Sequence, residues 1–325
     1  MNIAQLLPYC LRHENIARVE DKVLLVGNRQ LLPFCRKDHV CRCAEDSAEA
    51  IRSMITQGGG QLETALQTLV LEARLHGHDQ QRLEAVCTML SRARKTNSAV
   101  KRELDFLLPV ILSLPENDFA CSVEEIVHAR LEHYDRIYLS LAERGSRLIN
   151  DGDGILTTCF PEHSFFLSLA LARRDGRKFT VYSQETRPYL QGAHLTAPSL
   201  AEMGYDHYLI CDNMAASVVR EKRGGIYLTA SDRATGRRWV INKVGTLQSA
   251  IVCRAFGIGY YAFSMGLDDS IPVLDSFPVE YRSADEVKRC QNQDITGVDV
   301  RALYPAFDII SPEYVTGIIT SEGVI

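Results

Sequence analysis

The chain has 325 residues, 46% of them hydrophobic and 24% charged, which suits a globular protein with ample chain for one large core or two moderate ones. Its formal charge of -5, from 36 basic and 41 acidic residues, lacks the basic excess that marks a nucleic-acid binder. With 21 Gly, 11 Pro and no low-complexity run, collagen-like, coiled-coil and disordered classes are excluded as well.

The first twenty residues, MNIAQLLPYCLRHENIARVE, contain no basic region leading into a long apolar stretch. No apolar run approaches the roughly 20 residues needed to span a bilayer. A cytoplasmic protein without membrane contact is therefore expected, its ten scattered cysteines held as free thiols. For zinc, only Cys41-Arg42-Cys43 offers a close pair, and no second pair stands at ligand spacing, so no metal site is expected.

Val23-Leu24-Leu25-Val26 ahead of Gly27-Asn28-Arg29 reads as part of a short hairpin. From Glu45 to about Asn150, apolar residues recur at spacings of three and four, the amphipathic-helix pattern. Ala48, Ile51, Met54 and Ile55 form one such face, and Leu62, Ala65, Leu66 and Leu69 another. Asp46 and Ser47 are the expected N-cap of the first helix. Gly58-Gly59-Gly60 separates the two, and His76 and His78 flank Gly77 at an expected solvated helix end.

Beyond Asn150, short apolar runs alternate with helical stretches. Expected strands are Gly154-Ile155-Leu156-Thr157-Thr158, Phe179-Thr180-Val181-Tyr182, Tyr208-Leu209-Ile210-Cys211, Ile226-Tyr227-Leu228-Thr229 and Gly259-Tyr260-Tyr261-Ala262-Phe263. Helical stretches such as 164–174 and 248–256 lie between them. This alternation predicts an α/β fold with a parallel sheet covered by helices on both faces. In that architecture chemistry belongs at the carboxyl ends of the strands.

Cys159 follows the first of these strands, and Pro161 suits the first turn of the next helix. Unpaired N–H groups there favour a thiolate, so Cys159 is a candidate nucleophile or proton carrier; the plain alternative is a small residue that packs well. Asp232 follows the fourth strand and reaches the same crevice, where apolar surroundings would raise its pKa and suit it to acid–base work. Its plain alternative is a cap or an ion pair with Arg233. Asn242 and Lys243 precede a helical run and make an anion site, unless they are a solvated turn. Gln57, Gly58 and Gly59 precede another helix and could let backbone N–H groups approach a phosphate, or merely break the helices. Glu185-Thr186-Arg187-Pro188-Tyr189-Leu190-Gln191-Gly192 places more polar side chains at a strand end than a connection needs. His163, four residues after Cys159, stands close enough to influence it. No G-x-G-x-x-G follows the first strand of this half, which argues against a nucleotide-binding Rossmann enzyme.

Several stretches resemble one family when taken together and in order. They are ILTTC (155–159), ETRPYLQGAHLTA (185–197), CDNMAAS (211–217), ASDR (230–233), INKVGT (241–246), PVEYR (278–282) and the closing PAFDIISPEYVTGIITSEGVI. The chain is similar to the methylthioribose-1-phosphate isomerase family, whose relatives are the ribose-1,5-bisphosphate isomerases and the regulatory subunits of translation initiation factor 2B. The resemblance is strong from about Arg144 to the end and weak before it. It implies a mostly helical N-terminal domain (1–145), a Rossmann-like catalytic domain (146–325), a homodimer, and the aldose–ketose interconversion of a phosphorylated pentose without metal or redox cofactor. By motif it implies Cys159 and Asp232 as catalytic residues and Gln191, Asn242 and Lys243 as substrate contacts.

The departures are specific. The family's cysteine motif usually reads Thr-His-Cys-Asn, where this chain has Thr158-Cys159-Phe160. The distance from Cys159 to Gln191 is short, as in the bisphosphate isomerase and initiation-factor branch. Gln57-Gly58-Gly59 stands where the isomerases have Arg-Gly-Ala, and Gln cannot replace a bidentate guanidinium. A second family arginine aligns near Thr96, with Arg94 and Lys95 beside it, and His194 replaces an arginine in QGAHL. These changes leave open a different or unphosphorylated pentose, and a noncatalytic sugar-phosphate sensor like the initiation-factor subunits.

Overall fold

The computed structural model describes residues 3–93, 98–222, 225–269, 280–291 and 293–325. They divide into two compact units, Met1–Arg136 and Ile137–Ile325. The division falls ahead of the 145/146 boundary expected from sequence.

In the first unit a single helical turn, α1 (His13–Ile16), leads into an antiparallel sheet of β1 (Ala17–Glu20), β2 (Val23–Gly27) and β3 (Asp38–Cys41). The hairpin is real but turns at Asp21-Lys22, pairing Glu20 with Val23. Gly27-Asn28-Arg29 instead begins the longer connection to β3. Then come α2 (Ala44–Arg52), α3 (Gly59–His76), α4 (Gln80–Ala93), α5 (Ser98–Leu112) and α6 (Phe119–Arg147), the last running across the division into the second unit. The periodic residues Ala48, Ile51, Leu62, Ala65, Leu66 and Leu69 do enter one core. The expected cap does not hold: Cys43 is the extended N-cap residue of α2. Asp46 lies inside the first turn, where its carboxylate accepts the Arg42 N–H at 2.8 Å. His78 is not simply solvated, since it bonds the Leu112 carbonyl at 3.0 Å and meets Phe119 edge-on.

A charge cluster ties α1, α3 and α6 together in this unit. His13 Nδ1 lies 2.8 Å from Glu63 and Nε2 3.1 Å from Asp135. Burial lowers the imidazole pKa, but hydrogen bonds to Asp135 and Glu63 outweigh it and raise the value to about 10. Because the folded pKa exceeds the ordinary 6.5, this stabilisation is full below about pH 6.5 and is lost as pH rises towards 10. His13→Ala, which leaves two carboxylates facing a gap, is expected to cost about 2 kcal/mol near pH 6.5, below the figure for a fully buried pair because the imidazole is partly exposed. Urea melts at pH 6.5 and pH 10 check it: the gap between variant and native chain should close at the higher pH.

The second unit is built on a six-stranded sheet in the order β6–β5–β4–β7–β10–β14. Its strands in chain order are β4 (Asp153–Thr157), β5 (Phe179–Gln184), β6 (His207–Ile210), β7 (Gly225–Ala230), β10 (Gly259–Phe263) and β14 (Gly317–Ile319). All five pairings are parallel, as the alternating pattern predicts. Counted within this sheet, the order is 3-2-1-4-5-6, the Rossmann arrangement. Helices α7 (Glu162–Arg174), α8 (Ala197–Glu202), α9 (Ala215–Lys222) and α10 (Thr246–Ala255) connect them. The middle residues of β7, Ile226 to Thr229, are buried on both faces, which explains a continuous apolar run rather than an alternating one. Tyr227 and Tyr260 stack at 4.6 Å, and both are fully buried. Their hydroxyls are tolerable there because each has a threonine partner, Thr158 at 2.7 Å and Thr229 at 3.0 Å.

A second, antiparallel sheet was not expected. It comprises β8 (Arg233–Ala234), β9 (Val240–Lys243) and β13 (Phe307–Ile310), in the order β13–β9–β8. A short helix, α11 (Asp285–Lys288), and the two-residue pair β11 (Arg289–Cys290) and β12 (Gln293–Asp294) precede β13. No disulfide joins the ten cysteines. No helix among the described residues is long and apolar enough to cross a membrane.

Candidate active site at the sheet's switch point

Strand order reverses between β4 and β7, which lie side by side while their connections leave to opposite sides. Such a point opens a crevice beyond the strands' carboxyl ends. Cys159 stands two residues past β4 and Asp232 two residues past β7.

Cys159 has a left-handed backbone, φ 66°. Two threonines hold it: its N–H donates to Thr186 Oγ1 at 2.9 Å, and its carbonyl accepts from Thr196 Oγ1 at 2.5 Å. Pro161 is the N-cap residue rather than part of the first turn, and α7 starts at Glu162. The thiolate expectation is reversed. Burial raises the thiol to about 11; Lys243 and the Phe160 N–H pull it down, while Asp232 and Glu162 push it up. Lys243 and Asp232 thus both act on the Cys159 thiol, and a value raised to about 11 keeps it protonated near neutral pH.

Asp232 is exposed rather than set in apolar surroundings. Its N–H donates to the Ile241 carbonyl at 2.9 Å, which joins the end of β7 to β9. Arg233 pairs with Asp268 at 3.2 Å.

Asn242 and Lys243 do not form a helix N-terminal anion site. They belong to β9, and the start of α10 is already occupied by Asp308, whose carboxylate accepts the Gly245 and Leu247 N–H groups at 2.8 and 2.9 Å. Burial raises the Asp308 pKa, and these backbone donors oppose the shift. Lys243 is 4% exposed, its Nζ 4.4 Å above the Phe307 ring. Asn242 Nδ2 donates to Thr246 Oγ1 at 3.1 Å.

Gln191 is buried, and its Oε1 has no hydrogen-bond partner among the described residues. It precedes a π-helical turn, Gly192–Thr196, that also carries Thr196. Asp212 shapes the loop before it by accepting the Thr186 and Arg187 N–H groups at 2.8 and 2.7 Å. The Arg187 guanidinium reaches the carbonyls of Val287 and Arg289 at 3.1 and 2.8 Å. Beneath lies a buried network: Thr158 and Ser249 hydroxyls donate to Gln184 Oε1 at 2.5 and 2.8 Å, and Gln184 Nε2 donates to the Asp212 carbonyl at 2.9 Å. Gln184 and Asp212 escaped the sequence reading as supports, since contacts across strands leave no local spacing signal.

His163 is fully buried and stacks on Tyr138 at 4.4 Å, beside Glu162. Burial lowers the pKa of His194 on the π-helical turn. Gln57, Gly58 and Gly59 lie in the first unit, at the start of α3, where Gly58 adopts φ 54° and the buried Arg29 guanidinium donates to the Gln57 carbonyl at 2.7 Å. Arg94, Lys95 and Thr96, with Pro278 and Val279 of PVEYR, lie outside the described residues. Among the described residues no cluster of three or more metal-ligating side chains occurs.

A doubly wound parallel sheet with Cys159 and Asp232 past the ends of two adjacent strands, and Lys243 acting on the same thiol, defines a Rossmann-like α/β protein. The chain belongs to the initiation factor 2 subunit family, whose profile matches residues 44–325. A methylthioribose-1-phosphate isomerase of Roseiflexus castenholzii is 33% identical over 327 residues, covering 94% of this chain and 92% of that protein. The crystal structure of 5-methylthioribose 1-phosphate isomerase from Pyrococcus horikoshii OT3 superposes with a TM-score of 0.88 at 25% identity, covering 100% of this chain and 96% of the other. The delta subunit of translation initiation factor eIF-2B from A. fulgidus gives 0.83 at 25% identity, with 96% and 95% covered.

Proposed function

We propose that the protein is an aldose–ketose isomerase of a phosphorylated pentose such as S-methyl-5-thioribose 1-phosphate, working in the cytoplasm as a homodimer through Cys159 and Asp232. The observation that carries this reading is their position at the ends of adjacent strands β4 and β7, with Lys243 influencing the same thiol. The names of the similar proteins support the same substrate class.

Moving a carbonyl between C1 and C2 requires ring opening, loss of a proton from one sugar oxygen, gain of one by another, and transfer of hydrogen between the two carbons. Asp232 is assigned the proton transfers at oxygen. In an enediol route the Cys159 thiol first gives its own proton to the Asp232 carboxylate, which passes it to the opening ring oxygen. The thiolate beside Lys243 then takes the proton from C2 and returns it to C1. In a direct hydride shift the neutral thiol only polarises the transition state. Gln191, Asn242 and Lys243 bind the sugar, and Lys243 offsets negative charge developing there. Gln57, Gly58 and Gly59 are assigned to the substrate's phosphate on the motif alone.

The test offers purified protein three compounds: S-methyl-5-thioribose 1-phosphate, ribose 1,5-bisphosphate and unphosphorylated methylthioribose. Ketose formation is followed by carbon-13 NMR, and the expected result is turnover of a phosphate ester. Turnover of the free sugar alone would make Gln57 the mark of altered specificity. A noncatalytic sensor is the second reading, favoured by Gln57 in the isomerases' arginine position and by the likeness to the eIF-2B delta structure. Thermal stabilisation by an ester with no ketose formed would establish it instead.

A further inference from the structure

Cys159 and Thr186 stand two residues past the ends of the paired strands β4 and β5, and both have left-handed backbones, φ 66° and 63°. That conformation is uncommon for any residue with a side chain, and a β-branched one such as threonine resists it most. A threonine kept there needs surroundings that hold it. Asp212, two residues past the end of β6, supplies the hold. Its two carboxylate oxygens accept the Thr186 and Arg187 N–H groups at 2.8 and 2.7 Å. The Thr186 carbonyl accepts the Leu190 N–H at 2.7 Å, which closes the turn.

The side chain so placed is buried, and its hydroxyl is committed on both sides. It donates to the Gln184 carbonyl at 3.2 Å, which turns a lone pair towards the Cys159 N–H, 2.9 Å away. Thr196 pins the carbonyl of the same cysteine at 2.5 Å. With its N–H and its carbonyl both held, the Cys159 backbone has one setting, and the bond that carries the thiol has one direction.

We propose that Thr186 and Asp212 are positioning residues: Asp212 holds Thr186, and the Thr186 hydroxyl sets the direction in which the Cys159 thiol leaves the end of β4. What the thiol does there rests on the isomerase reading above; where it points rests on these hydrogen bonds. Neither residue is assigned a proton or a contact with the sugar. Displacing a reacting group by about 1 Å can cost about 10²-fold in rate, so such a support matters without chemistry of its own.

Three variants of the full chain test this. Thr186→Val keeps the branched shape and loses only the hydroxyl, Thr186→Ser keeps the hydroxyl, and Asp212→Asn offers a donor where two N–H groups need acceptors. Turnover of whichever sugar the native protein converts is measured well below each melting temperature. Labelling of each cysteine by iodoacetamide at mildly alkaline pH is followed by peptide mass spectrometry. Thr186→Val is expected to lower kcat by about 10–10²-fold with KM within about threefold of native. It should also raise the Cys159 labelling rate by about tenfold, as the freed thiol gains access, while the other nine cysteines keep native rates. Asp212→Asn should move kcat and Cys159 labelling the same way by less, and Thr186→Ser should restore both. A purely structural role would lower the melting temperature and speed the labelling of several cysteines together, which overturns the proposal. So do native kcat in Thr186→Val, a loss of kcat with Cys159 labelling unchanged, and a Thr186→Ser protein no better than Thr186→Val. Should the native protein convert none of the sugars, the isomerase reading falls, and the labelling alone upholds or overturns the placement of the thiol.

Discussion

Cys159→Ser is expected to lower isomerase turnover by about 10³-fold while leaving the fold intact. The magnitude follows from the usual worth of a positioned proton-transfer group, about 10²–10⁴. Serine keeps the size of the side chain and both backbone bonds, to Thr186 and from Thr196, so the left-handed turn after β4 survives. What changes is the group itself. A thiol near 11 can be brought to ionise transiently beside Lys243, whereas an alcohol lies several pH units further away. Asp232→Asn should show a loss of similar order, because an amide neither takes nor gives the proton at a sugar oxygen. If the two groups act in one proton circuit, the double variant should be scarcely slower than the worse single one, as happens for residues that work as a unit. Multiplying losses would separate their roles. Initial rates on the converted sugar, together with melting temperatures, check the whole set, and a Cys159→Ser enzyme within about threefold of native would remove the thiol from the chemistry.

The scaffold was more legible in the sequence than the electrostatics of the site. A run such as Ile226-Tyr227-Leu228-Thr229 was readable because a parallel strand buried on both faces needs an unbroken apolar stretch. Once those strands alternate with helices, strand-end positions follow, so Cys159 and Asp232 could be picked out with no contact known. β9 was not readable: Val240-Ile241-Asn242-Lys243 ends in two polar residues that look like a loop entering a helix, and only pairing with β13 makes them a strand. The same distant partner explains Asp308, which caps α10 from more than sixty residues away and fills the expected anion site. The thiol's state depends on how tightly protein closes around it, so local reasoning from a helix N-terminus gave the wrong direction.

Gly192→Ala should be the most damaging single methyl group in the second unit. A Cβ at this position would lie 1.6 Å from the Gln184 carbonyl oxygen and 2.8 Å from its carbon. Both are backbone atoms of β5, which is paired on each side, so no side chain can swing away to make room. The π-helical turn itself must move. Overpacking of this kind costs about 1–3 kcal/mol where side chains can adjust, and an unyielding backbone puts the expectation at about 3 kcal/mol or slightly more. For a unit of this size that is a fall in melting temperature of roughly 6–12 °C. Activity should fall further than stability predicts. The displaced turn begins next to Gln191, whose unpaired Oε1 is assigned to the sugar, and carries Thr196, whose hydroxyl holds the Cys159 carbonyl. Gly266→Ala is the control, because a Cβ there meets nothing within 4 Å; it should melt within a degree or two of native. Calorimetry on the two variants, followed by turnover well below the variant's own melting temperature, separates the effects. A Gly192→Ala protein that melts like the control would mean β5 and the turn can part cheaply, and the close approach at this glycine would then have no role in holding Gln191 and Cys159 in place.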